Sequence, residues 1–204
     1  MVDRDQKKRD KRERILDAAM ERFARYGIRK TTIEEIAHAA GVGKGTIYLY
    51  FKSKEDVFAE MMWRMGNRFL KEFEDEVAQG DNILDLFRQY LIRRFQFVQE
   101  QIEIHRVTRE THEEIEMMAA SHPVIFKMVA EMHALERKLI ETILLKGEEN
   151  GELEIDDVTV TAQAIVAASE ALEKPWALEG RELPIEKKAE ILIKLFVEGM
   201  RKRS

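Results

Sequence analysis

Apolar residues recur at the three- and four-residue spacing of an amphipathic α-helix along almost the whole chain, and the alternation typical of a β-strand is nearly absent. The first such pattern covers residues 10–26 and stops at Gly27, a residue type that often ends helices. Thr32 and Glu35 have the spacing of a capping box, which predicts the start of a second helix. A short third helix is predicted over residues 44–50.

The same periodicity continues through the rest of the chain. Ser53 is expected to cap a fourth helix, and a polar break at residues 78–82 separates this helix from five more. These five are predicted over residues 83–103, 105–119, 122–148, 157–178 and 185–202. The pattern therefore predicts an all-α protein with nine helices.

Residues 37–47 have small and apolar side chains at the places where a helix-turn-helix needs them. Ala37 is small enough for two helices to approach closely, and Gly41 permits the positive φ of a tight turn. Val42 and Ile47 can fill the core that the two helices share. This spacing predicts that the third helix is presented outward for DNA recognition.

The outward side chains of the third helix suit the major groove of DNA. Thr46 can hydrogen-bond to a base edge or touch a thymine methyl group, and Lys44 can reach a guanine or a phosphate. Other hydroxyl and ammonium groups are placed for backbone phosphates, and those at the start of the second helix have its dipole behind them. These groups belong to Thr31, Thr32, Tyr48, Tyr50, Lys52 and Lys54.

Charge separates the amino-terminal part from the rest of the chain. Residues 1–54 carry fourteen basic and eight acidic side chains, a net charge of +6, whereas residues 55–204 have a net charge of −11. Only the first part suits a polyanion such as DNA. The basic residues between positions 7 and 12 are expected to form an arm that follows the minor groove.

Residues 15–58, ILDAAMERFARYGIRKTTIEEIAHAAGVGKGTIYLYFKSKEDVF, resemble the DNA-binding segment of the TetR family of bacterial transcription regulators. The resemblance implies a three-helix helix-turn-helix domain with a basic amino-terminal arm over residues 1–54. It implies a six-helix ligand-binding and dimerisation domain over residues 55–204, and repression that a small molecule relieves. Gly43 stands where a serine or threonine is commoner in the family, which predicts a weaker cap on the recognition helix.

The resemblance also assigns contacts residue by residue. The recognition-helix contacts carry over to Lys44, Gly45, Thr46, Tyr48 and Tyr50, and the phosphate contacts to Thr32 and Lys54. The partners implied are double-stranded DNA with a palindromic operator, a second copy of the chain in a homodimer, and a small-molecule effector.

The last two predicted helices have the residues expected at a dimer interface. Apolar and small residues recur in a 4-3-4-3 spacing in the final helix, and a smooth face of small residues marks the helix before it. The interface is predicted to contain Ile165, Ala168, Leu172, Ile185, Ala189, Leu192, Phe196 and Gly199. Two such helices from each chain make an intermolecular four-helix bundle. The alternative is that these stripes pack only within their own chain.

Methionine, aromatic and histidine side chains of the fourth and middle helices, together with one valine, are candidates for lining an effector pocket. The candidates are Trp63, Phe87, Tyr90, Phe97, His105, His112, Met117, Phe126, Val129 and His133. Such a lining suits an apolar or aromatic effector. Taken singly, each residue is more typical of an ordinary helical core, and Arg94 is expected on an exposed face.

Two other functions compete with this interpretation. His105 and His112 lie two turns apart, which makes a metal-dependent enzyme conceivable. No zinc or nucleophile motif accompanies these histidines, so we predict no enzyme, no metal and no cofactor. The other alternative is an architectural DNA-binding protein without an effector sensor.

The cellular compartment of the protein is inferred from two features that the sequence lacks. The chain contains no cysteine, and none of its apolar runs approaches the roughly 18 residues needed to cross a bilayer. We therefore expect a cytoplasmic protein that is not associated with a membrane.

Overall fold

The computed structural model describes residues 2–80, 82–104, 117, 120–173 and 183–200. The helices are α1 (Val2–Lys30), α2 (Ile33–Ala39), α3 (Lys44–Tyr48), α4 (Lys54–Gln79), α5 (Ile83–Ile104), α6 (Pro123–Glu149), α7 (Val158–Ala171) and α8 (Ile185–Leu192). A π-helical turn, Ile193–Val197, and a short helix, Glu198–Met200, follow α8. The predicted all-α class is confirmed for this part of the chain. The helix predicted over residues 105–119 lies almost entirely outside it, so the count of nine stays a prediction.

α1 begins earlier than the predicted stretch, and its first helical run ends at Gly27, as predicted. Gly27 has φ 77° and ψ 162°, a non-helical conformation that separates this run from a short helical stretch up to Lys30. The basic stretch that was expected to form an arm is helical instead. Gln6 Nε2 donates to Asp10 Oδ1 at 2.8 Å and Arg9 Nη2 donates to Gln6 Oε1 at 2.9 Å. Such pairs at helical spacing favour the helix over an extended arm.

The chain folds as two compact units. The first comprises Met1–Gly66 with Gln101–Ala130, and the second comprises Asn67–Glu100 with Glu131–Ser204. The predicted boundary between a DNA-binding domain and a ligand-binding domain, after residue 54, stays a prediction.

The first unit has an apolar core that includes α1, α2, α3 and the start of α4. Ile15, Ile36 and Ile47 are 0% exposed. The rings of Phe23 and Phe58 meet edge to face, with centroids 5.7 Å apart. This core fixes α2 and α3 to the helix that precedes them.

Ion pairs join α4 to α1 within the first unit. Arg64 donates through Nη1 to Glu13 Oε2 at 2.5 Å and through Nη2 to Asp17 Oδ1 at 2.7 Å. Arg12 donates to Glu60, so that this member of the basic stretch is already paired. Burial alone would lower the pKa of Arg64, but the two carboxylates outweigh it and raise that pKa. The first half of α4 is therefore held to α1 by charge as well as by apolar contacts.

The second unit has its own core, built from α4 to α8. Its fully buried side chains include Phe73, Phe87, Tyr90, Leu91, Ile140, Ile143, Ile165 and Leu192. Lys146 of α6 donates through Nζ to the carbonyl oxygens of Val77 at 2.7 Å and Gly80 at 2.9 Å. A cation in this position satisfies acceptors that the carboxyl end of α4 would otherwise leave open.

Candidate nucleic-acid interface and effector region

The start of α2 is fixed by the capping box that the sequence predicts. The Thr32 backbone N–H donates to Glu35 Oε2 at 2.8 Å, and the Glu35 backbone N–H donates to Thr32 Oγ1 at 3.3 Å. Arg22 of α1 adds an ion pair to Glu35 at 2.6 Å. The hydrogen bonds from Thr32 lower the pKa of Glu35, with Arg22 adding to the effect. These contacts fix the residue that caps the start of α2, Thr32, and this residue is exposed.

The turn between α2 and α3 places Gly41 in the left-handed region, as predicted. The φ of Gly41 is 64°. The Val42 N–H donates to the carbonyl oxygen of Ala37 at 2.9 Å, and Ala37 is 3% exposed. Arg14 Nη2 donates to the carbonyl oxygen of Ala40 at 2.8 Å, which satisfies an acceptor at the end of α2. These contacts set the direction in which α3 leaves the turn.

α3 is five residues long and is anchored by one fully buried side chain, Ile47. Gly43 precedes it without a side-chain capping bond, as predicted. The N–H groups of Tyr50 and Phe51 donate to the carbonyl oxygen of Ile47 at 2.9 and 3.0 Å, and Phe51 is buried. Because Ile47 and Phe51 occupy the inner side, the other side chains of this segment face outward or lie at its margins.

Most residues predicted to contact DNA lie at the surface of the first unit. The exposed residues are Thr32, Lys44, Gly45, Tyr48 and Lys52. The half-buried residues are Thr46, Tyr50 and Lys54. α3 and its flanks therefore present ammonium and hydroxyl groups to solvent side by side, and Tyr48 is 50% exposed.

Thr31 is the exception among the predicted phosphate contacts. The residue is 0% exposed, and its Oγ1 donates to the carbonyl oxygen of Gly27 at 2.8 Å. Gly27 is where the path of α1 breaks, so the hydroxyl satisfies a backbone acceptor there and does not reach solvent. Thr31 therefore offers no hydroxyl group to a phosphate at the surface.

A carboxylate of α2 is paired with the first residue of α3. Lys44 Nζ donates to Glu34 Oε1, and both side chains are more than half exposed. This hydrogen bond lowers the pKa of Glu34 and raises the pKa of Lys44. The ammonium group predicted to reach DNA therefore already has an anionic partner. Sequence reasoning missed the pair because its members are ten residues apart and meet only through the turn.

The predicted pocket residues of the first unit are apolar and mainly exposed. Trp63, Met117 and Phe126 are 37%, 62% and 63% exposed, and Val129 is half-buried. Large apolar side chains left open to water often mark places where another molecule binds.

The predicted pocket residues of the second unit are mainly core. Phe87 and Tyr90 are 0% exposed and belong to the buried cluster of that unit. Phe97 is half-buried, and its ring stacks on Phe69 with centroids 5.0 Å apart. His133 is half-buried. Phe87 and Tyr90 are therefore core residues, which was the alternative to a pocket lining that the helical pattern allowed.

Arg94 of α5 lies at the centre of a buried polar cluster, so its expected place on an exposed face was wrong. The residue is 6% exposed. Its Nε donates to Glu136 of α6 and its Nη1 to Glu173, which follows α7, while the Tyr90 hydroxyl also donates to Glu136. Apolar periodicity does not reveal a cation whose charge is matched by carboxylates from distant parts of the chain.

Burial and the charges of neighbouring groups together set the pKa values in this cluster. It raises the pKa of Glu173 to about 7, against the opposing charge of Arg94. It also raises the pKa of Tyr90 well above its usual range, with Glu136 adding to the effect. Burial alone would lower the pKa of Arg94, but Glu173 and Glu136 outweigh it and raise that pKa. Within the cluster, Glu173 is therefore expected to titrate near neutral pH.

Most residues predicted at a dimer interface pack inside the second unit. Ile165, Ala189 and Leu192 are 0%, 1% and 1% exposed and belong to its core. The remaining members are the half-buried Ala168, Leu172, Ile185 and Phe196 and the exposed Gly199. The apolar side chains that stay open on the same segments are Val160, 63% exposed, and Leu195, 65% exposed. The most buried of the residues predicted at the dimer interface therefore pack within their own chain.

Metal and membrane binding were also considered in the sequence. Within the described ranges, no group of three or more histidine or acidic side chains is arranged to hold a metal ion. His105 and His112, the histidines considered as ligands, lie outside those ranges. Among the described helices, none combines the length and the hydropathy that crossing a bilayer requires.

Comparison with known proteins gives consistent matches. Residues 15–61 match the family model for bacterial regulatory proteins of the tetR family. The fatty acid metabolism regulator protein of Bacillus subtilis (strain 168) is 24% identical over 194 residues, which cover 95% of this chain and 97% of that protein.

Solved structures have a similar fold. The transcriptional regulator FadR from Bacillus subtilis, in complex with stearoyl-CoA, matches with a TM-score of 0.67 and 22% identity over 92% of this chain and 98% of that one. SmeT, the repressor of the Stenotrophomonas maltophilia multidrug efflux pump SmeDEF, matches with a TM-score of 0.68 and 24% identity over 95% and 91%. The SmeT–triclosan complex matches with a TM-score of 0.71 and 24% identity over 96% and 93%. At 22–24% sequence identity, these structural matches establish that the chain shares their fold.

The capped α2, the glycine turn and the outward α3 define a helix-turn-helix protein. With the family match and the relatives, residues 15–61 are identified as the helix-turn-helix segment of the tetR family of bacterial regulatory proteins. These relatives are regulators, not enzymes. Proteins of this family bind DNA and small-molecule effectors, usually as dimers.

Proposed function

We propose that this regulator is a dimeric repressor that binds a palindromic operator through α3 and is released by a small apolar or aromatic effector. The observation that carries the proposal is the outward presentation of Lys44 and Tyr48, with Thr46 beside them, on a helix anchored by Ile47. A helix of this kind fits the major groove, where ammonium and hydroxyl groups meet base edges and phosphates.

Residues that flank α3 supply the backbone contacts in this proposal. Thr32 at the start of α2, Lys52 and Lys54 are placed for phosphates, which fix the orientation of the protein on the duplex. Lys44 is paired with Glu34 in the free protein. A phosphate or a guanine therefore has to replace that carboxylate when DNA binds.

A homodimer is part of the proposal because two recognition helices about 34–36 Å apart reach successive major grooves on one face of DNA. In place of the fully buried Ile165, Ala189 and Leu192, we assign the dimer contact to exposed apolar and small residues of the last helical segments. These residues are Val160, Ala164 and Ala167 of α7 and Leu195 of the π-helical turn. Their 4-3 spacing on α7 forms one helical face.

The effector in this proposal is a small apolar or aromatic molecule. Trp63, Met117 and Phe126 offer large apolar surface in the first unit. Among the relatives, FadR was solved with stearoyl-CoA and SmeT with triclosan. We propose that the effector displaces α4, which begins at Lys54, and so alters the spacing of the two recognition helices. A coupling of about 1–3 kcal/mol changes DNA affinity by roughly 5- to 150-fold.

Selection of bound duplexes from a random pool, with the purified full-length chain at physiological salt, tests the proposal. A sequence-specific repressor enriches one palindrome. An architectural DNA-binding protein enriches no sequence, and its binding weakens steeply as salt rises because phosphate contacts supply all of its affinity. Enrichment of no sequence would overturn the proposal.

A further inference from the structure

Leu49 follows α3 directly and is 79% exposed, the largest exposed fraction among the described large apolar side chains. Its backbone keeps the helical conformation, with φ −75° and ψ −17°. The Phe51 N–H donates to the carbonyl oxygen of Ile47 at 3.0 Å, so the helical path continues past Leu49. At about 100° of rotation per residue, Leu49 lies about 160° from both buried residues, Ile47 and Phe51. Leu49 therefore points away from the core.

The surroundings of Leu49 leave room for close approach by another molecule. Gly45 lies one turn earlier on the same side of α3 and is exposed. A methyl group built on Gly45 would meet no atom within 4 Å. Polar side chains border this apolar centre, with Tyr48 exposed on one flank and Thr46 half-buried on the other. The outward side of α3 and of the residue that follows it thus presents an exposed leucine with hydrogen-bonding groups on both flanks.

DNA offers one apolar group in the major groove, the C5-methyl group of thymine. Burial of a leucine side chain against a methyl group is favourable because both lose contact with water. Three basic residues lie within five positions of Leu49 along the chain, Lys44, Lys52 and Lys54, and their charge suits a nucleic acid. This charge favours DNA over a protein partner as the molecule that covers Leu49.

We infer that Leu49 packs against a thymine methyl group in each half of the operator, and that this contact helps to determine which sequence the protein prefers. The inference rests on the proposed function, because it assigns one contact within the proposed DNA interface. Gly45 contributes by letting the backbone of α3 approach the groove.

Deoxyuridine tests the contact because it lacks only the methyl group of thymine and keeps the same hydrogen-bonding edges. Each thymine of the selected palindrome is replaced in turn, in both halves, and the dissociation constant is measured for the wild type and Leu49→Ala. At one position we expect the wild type to lose about three- to fivefold in affinity per half-site. Leu49→Ala should bind the thymine duplex more weakly than the wild type and respond little to deoxyuridine at that position.

Leu145→Ala is the matched control, because Leu145 is a 47% exposed leucine of α6. It should keep the wild-type response to deoxyuridine at every position. An equal response of wild type and Leu49→Ala at all thymines, or no response in the wild type, would overturn the inference while leaving the repressor proposal intact. Failure of the wild type to select any duplex would overturn both, so the two failures are distinguishable.

Discussion

At the scale of single residues, Glu34 is expected to oppose the proposed binding of DNA. Its carboxylate holds Lys44 and adds a negative charge beside the expected phosphates. Glu34→Gln removes that charge, so the side chain holds the ammonium group only through a neutral hydrogen bond. We expect the affinity for DNA to rise about two- to fivefold, as measured by fluorescence anisotropy at physiological salt. Glu74→Gln, at an exposed position of α4, should leave affinity unchanged, and a loss of affinity in Glu34→Gln would contradict the assignment.

Glu173 makes stability depend on pH. Its pKa is about 7 in the folded chain, whereas its usual value is 4.5, because burial disfavours the charged form. Between these two values the folded chain keeps a proton that the unfolded chain releases. The free energy of unfolding attributable to this group therefore falls as pH rises through this window, by on the order of 3 kcal/mol, and levels off above it.

Replacement of Glu173 by glutamine isolates this effect. The glutamine side chain cannot ionise but can still accept a hydrogen bond from Arg94, so Glu173→Gln should flatten the pH dependence of the unfolding free energy between about pH 5 and 8. Urea titrations at several pH values provide the measurement. Glu149→Gln, at an exposed position of α6, should keep the wild-type slope. An unchanged slope in Glu173→Gln would show that another group titrates.

At the scale of single elements, the sequence was most informative where a structure depends on neighbouring residues. The Thr32–Glu35 capping box, the positive φ of Gly41 and the uncapped Gly43 are local features, and all three were predicted correctly. Arg94 was not, because its partners come from other parts of the chain. The dimer interface stays a prediction, since helical spacing at Ile165 identifies burial without saying which surface covers the residue.

Two glycines of the helix-turn-helix should respond oppositely to the same change. Gly41 has φ +64°, and a methyl group there would lie 3.2 Å from Arg14 Nη2, so Gly41→Ala should lower the unfolding free energy by about 1–2 kcal/mol. Gly45 lies in α3 with open space around it, so Gly45→Ala should raise the unfolding free energy by about 0.5–1 kcal/mol. Urea unfolding measures both. Equal effects of the two changes would contradict the assigned turn.

On the scale of the whole molecule, the proposed function requires two recognition helices in register. Leu195→Glu places a charge on the proposed dimer face at a 65% exposed position, so the chain should fold but remain monomeric. Sedimentation velocity would detect the change, and affinity for the palindrome should fall to that for a half-site. Leu145→Glu introduces the same charge at a 47% exposed position of α6 and should remain dimeric. A dimeric Leu195→Glu would exclude this face as the interface.

The uneven charge of the chain was evident before any fold was known. Residues 1–54 have a net charge of +6 and residues 55–204 a net charge of −11. The basic segment contains the helix-turn-helix, while the acidic remainder is expected to be repelled by phosphates. This distribution is expected to limit the orientations in which the protein can approach DNA, and to favour those in which the helix-turn-helix faces the duplex.

The most direct test replaces the polar groups of α3 without adding charge. The variant Lys44→Gln, Thr46→Val, Tyr48→Phe is compared with the control Lys71→Gln, Thr142→Val, Tyr26→Phe, whose changes lie outside the proposed interface. Anisotropy titrations against the selected palindrome should show a loss of at least about a hundredfold for the first variant and none for the second. Wild-type affinity in the α3 variant would contradict the claim that this helix reads DNA.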